Sequence, residues 1–268
     1  MFSNKKNSIL YFIELISILF MIAKPVELAS SKYKVKKYNL VTNKPNIIIS
    51  EEAESLGCTW NKRGRIVWDK DVINRFFSLL EKRTDPIVVL DIGAQTGCYT
   101  LLAKFIPNSQ WYAFEPIKEA TDILLTNLYL NKIKNVEVIN AAISDQSGTA
   151  ILKIPEKSML GLATLGSKPL RFNDYINREV RCIDLDSFIA ERKIPKVDFI
   201  KIDTEGWEYF VLQGGKEMIC RDRPTILLEF NGENMMQCGV SPDQLIELLT
   251  KLGYDWETVS EDLICTPR

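Results

Sequence analysis

The stretch that decides the fold is Pro86–Thr100, which reads PIVVLDIGAQTGCYT. The apolar run after the proline predicts a short strand that is buried on both faces of a parallel sheet. Asp91 ends this strand, and Gly93 and Gly97 follow before a helical period resumes at Tyr99. A strand, a glycine turn and a helix N-terminus are together typical of a nucleotide site, because glycine admits a close backbone approach and a helix begins with unpaired N–H groups.

Two common phosphate-binding patterns do not describe this turn. Gln95 stands where the second glycine of G-x-G-x-x-G would let a pyrophosphate approach, and no Gly-Lys-Ser/Thr follows as in a P-loop. These differences weigh against a nicotinamide-dependent oxidoreductase, which is kept as an alternative. A plain βα turn without a ligand is a second alternative.

Two later strands also end in acidic residues. Ser109–Phe114 predicts a strand, and Glu115 follows it at the place where a doubly wound fold positions a carboxylate for ribose hydroxyls, roughly 20 residues after the glycine turn. The apolar run Val197–Asp203 leads into KIDTEGWE, residues 201–208. Because open α/β sheets bind ligands at the carboxyl ends of their strands, these carboxylates are expected at the same rim as the glycine turn.

Three motifs, in this order, resemble the FkbM-type S-adenosylmethionine-dependent methyltransferases: D-I-G-A-x-x-G-x-Y-T from Asp91, F-E-P from Phe114 and K-I-D-x-E-G-x-E from Lys201. The segments NLYLN (127–131), VLQGG (211–215) and ILLE (226–229) fit the same pattern. The resemblance covers roughly Pro86 to the C-terminus. It implies S-adenosylmethionine as cofactor and, by analogy within the family, O-methylation of a hydroxyl on a sugar, glycolipid or secondary metabolite. A non-catalytic, membrane-associated scaffold with a degenerate methyltransferase fold is a third reading.

The fold implied is a class I, Rossmann-like α/β fold: a doubly wound, mostly parallel sheet of the seven-stranded type, with a β-hairpin insertion and an N-terminal extension. The predicted parallel strands are Ile87–Asp91, Trp111–Glu115, Val136–Asn140, Val197–Asp203 and Thr225–Phe230. Tyr254–Glu257 and Leu263–Thr266 are expected to close the sheet as antiparallel strands.

The resemblance and the strand ends define a predicted cofactor site. Its residues are Asp91, Gly93, Ala94, Gly97, Tyr99, Thr100, Glu115, Pro116, Ala142, Asp145 and Asp203. Ala142 and Asp145 follow the third strand, where methyltransferases of this fold usually meet the adenine. An ordinary loop capped by Asp145 is the alternative there.

The chain contains no histidine, which excludes a Ser-His-Asp triad, a histidine base and any histidine-ligated metal. A base for an alcohol acceptor must then be a carboxylate or a lysine, and the candidates are Asp203, Glu205 and Lys201, with Glu229 close by. Oxygen ligands from Asp203, Glu229 and Asn231 would offer a Mg²⁺ alternative, but the prediction is a site without a metal.

Composition limits the domain count and the partners. A chain of 268 residues that is 46% apolar suits one α/β domain plus an extension, and a net charge of −1 argues against a nucleic-acid partner. The predicted division is an apolar segment at 1–30, an extension at 31–85 and an FkbM-like domain at 86–268 with an insertion at 147–183. The six cysteines form no C-x-x-C pair, so neither a zinc site nor a thioredoxin motif is expected.

Two segments carry further expectations. Residues 9–23 are apolar apart from Glu14 and Ser17, and a membrane tether, an interfacial helix, a packed helix and a cleaved signal all remain open. Because S-adenosylmethionine is made in the cytosol, we expect a cytoplasmic catalytic domain, with membrane association through residues 9–23 left open. The long loop Pro155–Asp174 is the predicted substrate flap, with Lys157, Lys168 and Arg171 as contacts.

Overall fold

A computed structural model of the chain describes residues 34–51, 70–156, 160–169 and 172–268. The apolar segment 9–23 and the flap residues Lys157 and Arg171 lie outside the described residues. Within the described ranges, every helix is too short or too polar to cross a bilayer.

The strands are β1 (Val35–Tyr38), β2 (Ile47–Ser50), β3 (Ile87–Ile92), β4 (Ser109–Phe114), β5 (Val136–Ile139), β6 (Ala142–Ile143), β7 (Gly148–Pro155), β8 (Tyr175–Ile183), β9 (Phe199–Ile202), β10 (Thr225–Glu229), β11 (Tyr254–Val259) and β12 (Asp262–Pro267). The α-helices are α1 (Lys70–Leu80), α2 (Lys118–Leu130), α3 (Leu185–Arg192), α4 (Glu208–Gly214), α5 (Lys216–Asp222), α6 (Gly232–Gln237) and α7 (Pro242–Lys251). Short 3-10 helices span Thr100–Phe105 and Leu160–Leu162.

The main sheet has seven strands in the order β11-β12-β10-β9-β3-β4-β5. Strands β10, β9, β3, β4 and β5 are parallel, while β12 runs antiparallel to β10 and β11 runs antiparallel to β12. The chain moves outward from β3 to β5 and then returns to β9 on the other side of β3. This reversal between β3 and β9 is the switch point at which open α/β sheets bind ligands. The predicted doubly wound fold is confirmed.

Both faces of the sheet are covered, as the continuous apolar runs predict. Along β10, Leu227 packs into a cluster with α1 and α2, whereas Ile226 and Leu228 pack into a second cluster with α3, α4, α5 and α7. The same alternation holds in β3, where Val89 belongs to the first cluster and Leu90 to the second. Burial on both sides therefore fixes the sheet and the positions of its strand ends.

The N-terminal extension contains a pair of β-strands. Residues 31–46 read as basic and polar, yet they contain β1, which pairs antiparallel with β2. Side chains of α2 complete the edge of β2: the Asn131 amide bonds both N–H and C=O of Ile48, and Asn127 accepts from the N–H of Ser50. The two asparagines of the NLYLN segment thus serve as substitutes for a neighbouring strand.

The insertion forms a sheet of its own. β7 and β8 make an antiparallel hairpin, as predicted, and β6 pairs with β8 in parallel. The segment after the acidic turn forms two helices, α4 and α5, which are divided at Gly214 and Gly215. Gly214 lies against the Ser144 carbonyl, so closely that an added Cβ would stand 2.0 Å from its oxygen. The division of the helix therefore accompanies a close contact with the loop after β6.

Candidate functional site

A cavity of about 380 Å³ opens where the carboxyl ends of β3, β4, β9 and β10 meet. Its volume lies in the range of roughly 300–1,000 Å³ found for small-molecule sites. The predicted site residues that line it are Gly93, Ala94, Tyr99, Glu115, Pro116, Ala142, Lys201, Asp203 and Glu205. Asp91, Gly97, Thr100 and Asp145 lie outside the described lining.

The two glycines of the turn were expected to admit a close approach of a ligand, but in the structure they lie against other residues of the protein. Gly93 has φ +75°, and an added Cβ would stand 1.8 Å from the carbonyl oxygen of Asp203. Gly97 has φ +103°, and an added Cβ would stand 2.5 Å from Leu124. The N–H groups of Gly93 and Ala94 both donate to the Phe114 carbonyl. The glycines are therefore needed for packing within the protein, and these two N–H groups are already used.

Asp91 and Thr100 lie beneath the cavity. The Asp91 side chain is 0% exposed and accepts a hydrogen bond from the Thr100 hydroxyl. Its other oxygen lies 3.4 Å from the ammonium nitrogen of Lys201. In this structure the two residues support the floor of the cavity, and their contact with the cofactor stays a prediction.

Lys201 is a fixed cation. Its ammonium donates to the Gly93 carbonyl at 2.8 Å and lies 3.4 Å from Asp91 and 3.5 Å from Asp203. Burial by itself would lower the pKa of Lys201, but the charges of Asp203 and Asp91 raise that pKa above its usual value. A raised pKa favours the protonated form, which cannot accept a proton, so this setting disfavours Lys201 as the base, and its role stays a prediction.

Glu115 is held firmly at the end of β4. Its side chain accepts hydrogen bonds from the N–H groups of Gln95 and Ile117, at 2.9 and 2.8 Å. The residue is 6% exposed, and burial raises the pKa of Glu115 to about 7 against the opposing effect of these hydrogen bonds. Gln95 adopts φ +49°, which turns its N–H toward this carboxylate. Glu115 lines the cavity, and its carboxylate still has lone pairs that can accept hydrogen bonds from a ligand there.

The loop after β6 contributes one of its two predicted residues. Ala142 lines the cavity, whereas Asp145 is exposed and accepts a hydrogen bond from the Ser144 hydroxyl. The indole N–H of Trp207, another lining residue, donates to that same hydroxyl at 3.0 Å. The Asp145 side chain belongs to the loop that supports Trp207, and its contact with the cofactor stays a prediction.

Three carboxylates meet on the β9–β10 side of the cavity. Asp203, Glu205 and Glu229 each place one oxygen within 4.8 Å of the others. Glu205 adopts φ +55° in the turn after β9, and the Asn234 side-chain amide donates to its carboxylate at 2.7 Å. Asn234, on α6, carries no recognisable motif in the sequence and was not predicted as a site residue.

Glu208 shapes the turn that carries Glu205. One oxygen of its buried carboxylate accepts from the N–H groups of Thr204 and Gly206, at 2.8 and 3.2 Å, and from the Thr204 hydroxyl. These bonds satisfy backbone groups that the tight turn leaves unpaired. Glu208, the last glutamate of the K-I-D-x-E-G-x-E motif, therefore fixes the shape of the turn that carries Glu205.

Glu229 is the most crowded of the three carboxylates. Its Oε2 is buried and has no hydrogen-bond partner among the described residues. Burial raises the pKa of Glu229 well above its usual value, and the negative charges of Asp203, Glu205 and Glu208 raise it further. This side of the cavity thus concentrates negative charge that the protein leaves only partly balanced.

The flap supplies an apolar wall. Leu160, Leu162 and Leu165 line the cavity with Gly161 and Ala163 between them. The Thr164 hydroxyl fastens this wall to the acidic turn by donating to the Glu205 carbonyl at 2.9 Å. Lys168 is exposed and lies outside the described lining, and its contact with the acceptor stays a prediction.

The charges of the described lining suit a cationic ligand. Five carboxyl groups line the cavity, those of Glu115, Asp203, Glu205, Glu229 and Glu261, and Asp203, Glu205 and Glu261 alone outnumber the single ammonium of Lys201. A sulfonium ligand brings the positive charge that this excess requires. The volume, the acidic lining and the buried carboxylate of Glu115 therefore fit an adenosyl sulfonium.

The fold and this site define a class I, Rossmann-like methyltransferase. The model of the Methyltransferase FkbM domain matches residues 91–256, and the chain belongs to this family. S-adenosyl-L-methionine is accordingly the cofactor, and the nicotinamide and scaffold alternatives are set aside.

Two curated relatives and one solved structure are similar to the chain. Methyltransferase sdnD of Sordaria araneosa is 23% identical over 242 residues, which cover 80% of this chain and 91% of that protein. The 2-O-methyltransferase NoeI of Sinorhizobium fredii is 27% identical over 192 residues, 66% of this chain and 76% of that protein. The crystal structure of methyltransferase FkbM from Methylobacillus flagellatus KT has a TM-score of 0.45 at 15% identity, covering 68% of this chain and 44% of that one.

Proposed function

We propose that this methyltransferase is O-directed and methylates a hydroxyl group of a sugar, a glycolipid or a polyhydroxylated secondary metabolite in the cytoplasm. The observation that carries the proposal is the convergence of Asp203, Glu205 and Glu229 on the β9–β10 side of the cofactor cavity. Carboxylates at such a place accept hydrogen bonds from hydroxyl groups and can remove their protons.

The chain's own residues divide the work between the two sides of the cavity. S-adenosylmethionine, when bound, supplies an electrophilic methyl group on a sulfonium. Glu115 accepts hydrogen bonds from the ribose hydroxyls, and Lys201 keeps the ends of β3 and β9 together through Gly93 and Asp203. Asp203 or Glu205 accepts the hydroxyl proton, since Lys201 stays charged. Because the reaction is an in-line displacement, alignment of the acceptor oxygen is the main contribution of this wall.

The flap favours an acceptor with an apolar part beside its hydroxyl. Leu160, Leu162 and Leu165 line the same cavity as the three carboxylates. Such a wall excludes water from the reacting groups and packs against a sugar face, a ring or an acyl chain. The name of NoeI, a 2-O-methyltransferase, supports an oxygen acceptor, at 27% identity.

Labelled methyl transfer tests this proposal. The purified full chain is incubated with trideuteromethyl S-adenosylmethionine and a panel of sugars, lipid-linked sugars and polyhydroxylated metabolites, together with amine analogues of each. Mass spectrometry is expected to find the label as a methyl ether on a hydroxyl, at a rate lowered at least tenfold by Asp203→Asn combined with Glu205→Gln. Glu233→Gln, an exposed carboxylate on α6, is the matched control. Label on nitrogen, carbon or sulfur would contradict the proposal.

A further inference from the structure

We propose that Asp203, Glu205 and Glu229 form a binding site for a hard divalent cation such as Mg²⁺ or Mn²⁺. This inference goes beyond the proposed function, because cation binding requires neither the cofactor nor the acceptor. It also differs from the sequence prediction, which was a site without a metal.

The spacing of the three carboxylates suits one ion. Their nearest oxygens all lie within 4.8 Å of one another. Mg²⁺ binds oxygen at about 2.1 Å and Ca²⁺ at about 2.3–2.6 Å, so ligands on opposite sides of one ion stand about 4–5 Å apart. The carboxylates come from three places, the end of β9, the turn after it and the end of β10, and they converge although their charges repel.

A buried oxygen without a partner points to a missing ligand. Oε2 of Glu229 is buried in the cavity wall and accepts no hydrogen bond from the described residues. Buried carboxylate oxygens in folded proteins are normally hydrogen-bonded or bound to a cation, because an unsatisfied one costs free energy. A cation shared with Asp203 and Glu205 would supply the absent partner.

The surrounding groups leave the cluster negatively charged. Lys201 is the described cation in the lining, and it is already shared between Asp91 and Asp203. Asn231 was considered a ligand from the sequence, but its side-chain oxygen caps α6 by accepting from the N–H groups of Glu233 and Asn234. The Asn231 oxygen is thus used elsewhere, and the ligand set is the three carboxylates.

The supporting hydrogen bonds resemble those behind metal ligands. The Asn234 amide donates to one oxygen of Glu205, which fixes the direction of the other oxygen. A set of carboxylate oxygens alone suits Mg²⁺, Mn²⁺ or Ca²⁺ rather than softer metals. Three protein ligands leave positions for water or for the acceptor oxygen, which the ion would orient and whose negative charge it would stabilise.

Titration of the chelator-treated full chain with Mn²⁺ tests the site directly. Calorimetry and the electron paramagnetic resonance signal of free Mn²⁺ are expected to show one ion bound per chain without cofactor or acceptor. Glu229→Gln and Asp203→Asn are each expected to weaken binding at least tenfold. Glu233→Gln, which removes an exposed carboxylate outside the cluster, is expected to leave binding unchanged.

Thermal unfolding separates loss of the site from loss of the fold. At about 100 times the dissociation constant, Mn²⁺ is expected to raise the melting temperature of the wild type by about 5 °C or more. Glu229→Gln is expected to melt at or above the metal-free wild type, because it removes charge repulsion, and to lose the rise with Mn²⁺. The proposal is overturned if the wild type binds no Mn²⁺ at millimolar concentrations, or if both variants bind it as tightly as the wild type.

Discussion

The two sides of the cavity treat their carboxylates in opposite ways. On the β4 side, Glu115 accepts backbone hydrogen bonds from Gln95 and Ile117 and is held in one position. On the β9–β10 side, Asp203, Glu205 and Glu229 crowd together, and a buried oxygen of Glu229 has no described partner. The Glu115 carboxylate is thus fixed by the protein itself. The carboxylate cluster on the β9–β10 side instead carries negative charge that a bound ligand would balance. We therefore propose that the group that recognises the adenosyl part of the cofactor is already in position, whereas the β9–β10 side is completed only when a ligand binds.

Lys201 links the end of β3 to Asp203 at the end of β9, and its removal is expected to have the largest effect. Lys201→Met leaves Asp91 buried without its cation, which costs about 3–5 kcal/mol of the free energy of unfolding. Urea denaturation measures this loss. The control Lys251→Met breaks an exposed pair with Glu247 and is expected to leave the free energy of unfolding nearly unchanged. Equal losses in the free energy of unfolding of the two variants would show that Lys201 does not hold the ends of β3 and β9 together.

Glu115→Gln is the next largest test and affects the organised side alone. The variant loses the ionised acceptor of the ribose hydrogen bonds, a loss of about 1.5–3 kcal/mol that weakens binding of S-adenosylhomocysteine about 10- to 100-fold. Isothermal titration calorimetry measures the change. Glu119→Gln, on the exposed start of α2, is the control and is expected to bind as the wild type does. Unchanged affinity in Glu115→Gln would remove Glu115 from the cofactor site.

The pKa of about 7 at Glu115 predicts a pH dependence of binding. The ionised carboxylate is the better acceptor for the ribose hydroxyls, and its fraction rises from about one tenth at pH 6 to about nine tenths at pH 8. Adenosine has no group that titrates in this range, so its affinity for the wild type is expected to rise about tenfold from pH 6 to pH 8. Glu115→Gln is expected to show a flat profile, and a flat wild-type profile would contradict the assignment.

The smallest effect is expected where the flap meets the acidic turn. Thr164→Val removes the hydroxyl that donates to the Glu205 carbonyl and accepts from the N–H of Gly166, at a cost of about 1 kcal/mol in stability. Affinity for S-adenosylhomocysteine is expected to stay unchanged, because Glu115 lies on the other side. Calorimetry measures the affinity, and urea denaturation measures the stability. Weaker binding of S-adenosylhomocysteine would mean that the two sides of the cavity are not independent.

The sequence predicted the features that depend on local pattern. The apolar runs of β3, β9 and β10 predict strands because both of their faces are buried, and acidic residues at their ends predict a rim of carboxylates. The family resemblance added the cofactor and the order of the motifs. Glu115, Asp203 and Glu205 were found in this way, and the structure brings them to one cavity.

The features that the sequence missed depend on contacts between distant residues. The basic stretch containing β1 becomes a strand because Asn127 and Asn131, some 80 residues later, complete the edge of its partner β2. The role of Asp91 as a buried support for Lys201 cannot be read from a motif that is shared with direct ligands. Asn234 orients Glu205 only because α6 packs beside the turn after β9.

A crystal structure with S-adenosylhomocysteine bound is the most direct test of the central claim, that one cavity holds the cofactor on Glu115 and presents its sulfur to the acidic side. The account predicts both ribose hydroxyls within hydrogen-bond distance of Glu115 and the sulfur facing the carboxylates of Asp203, Glu205 and Glu229. A ribose bound away from Glu115, or a sulfur that faces away from these three carboxylates, would contradict it.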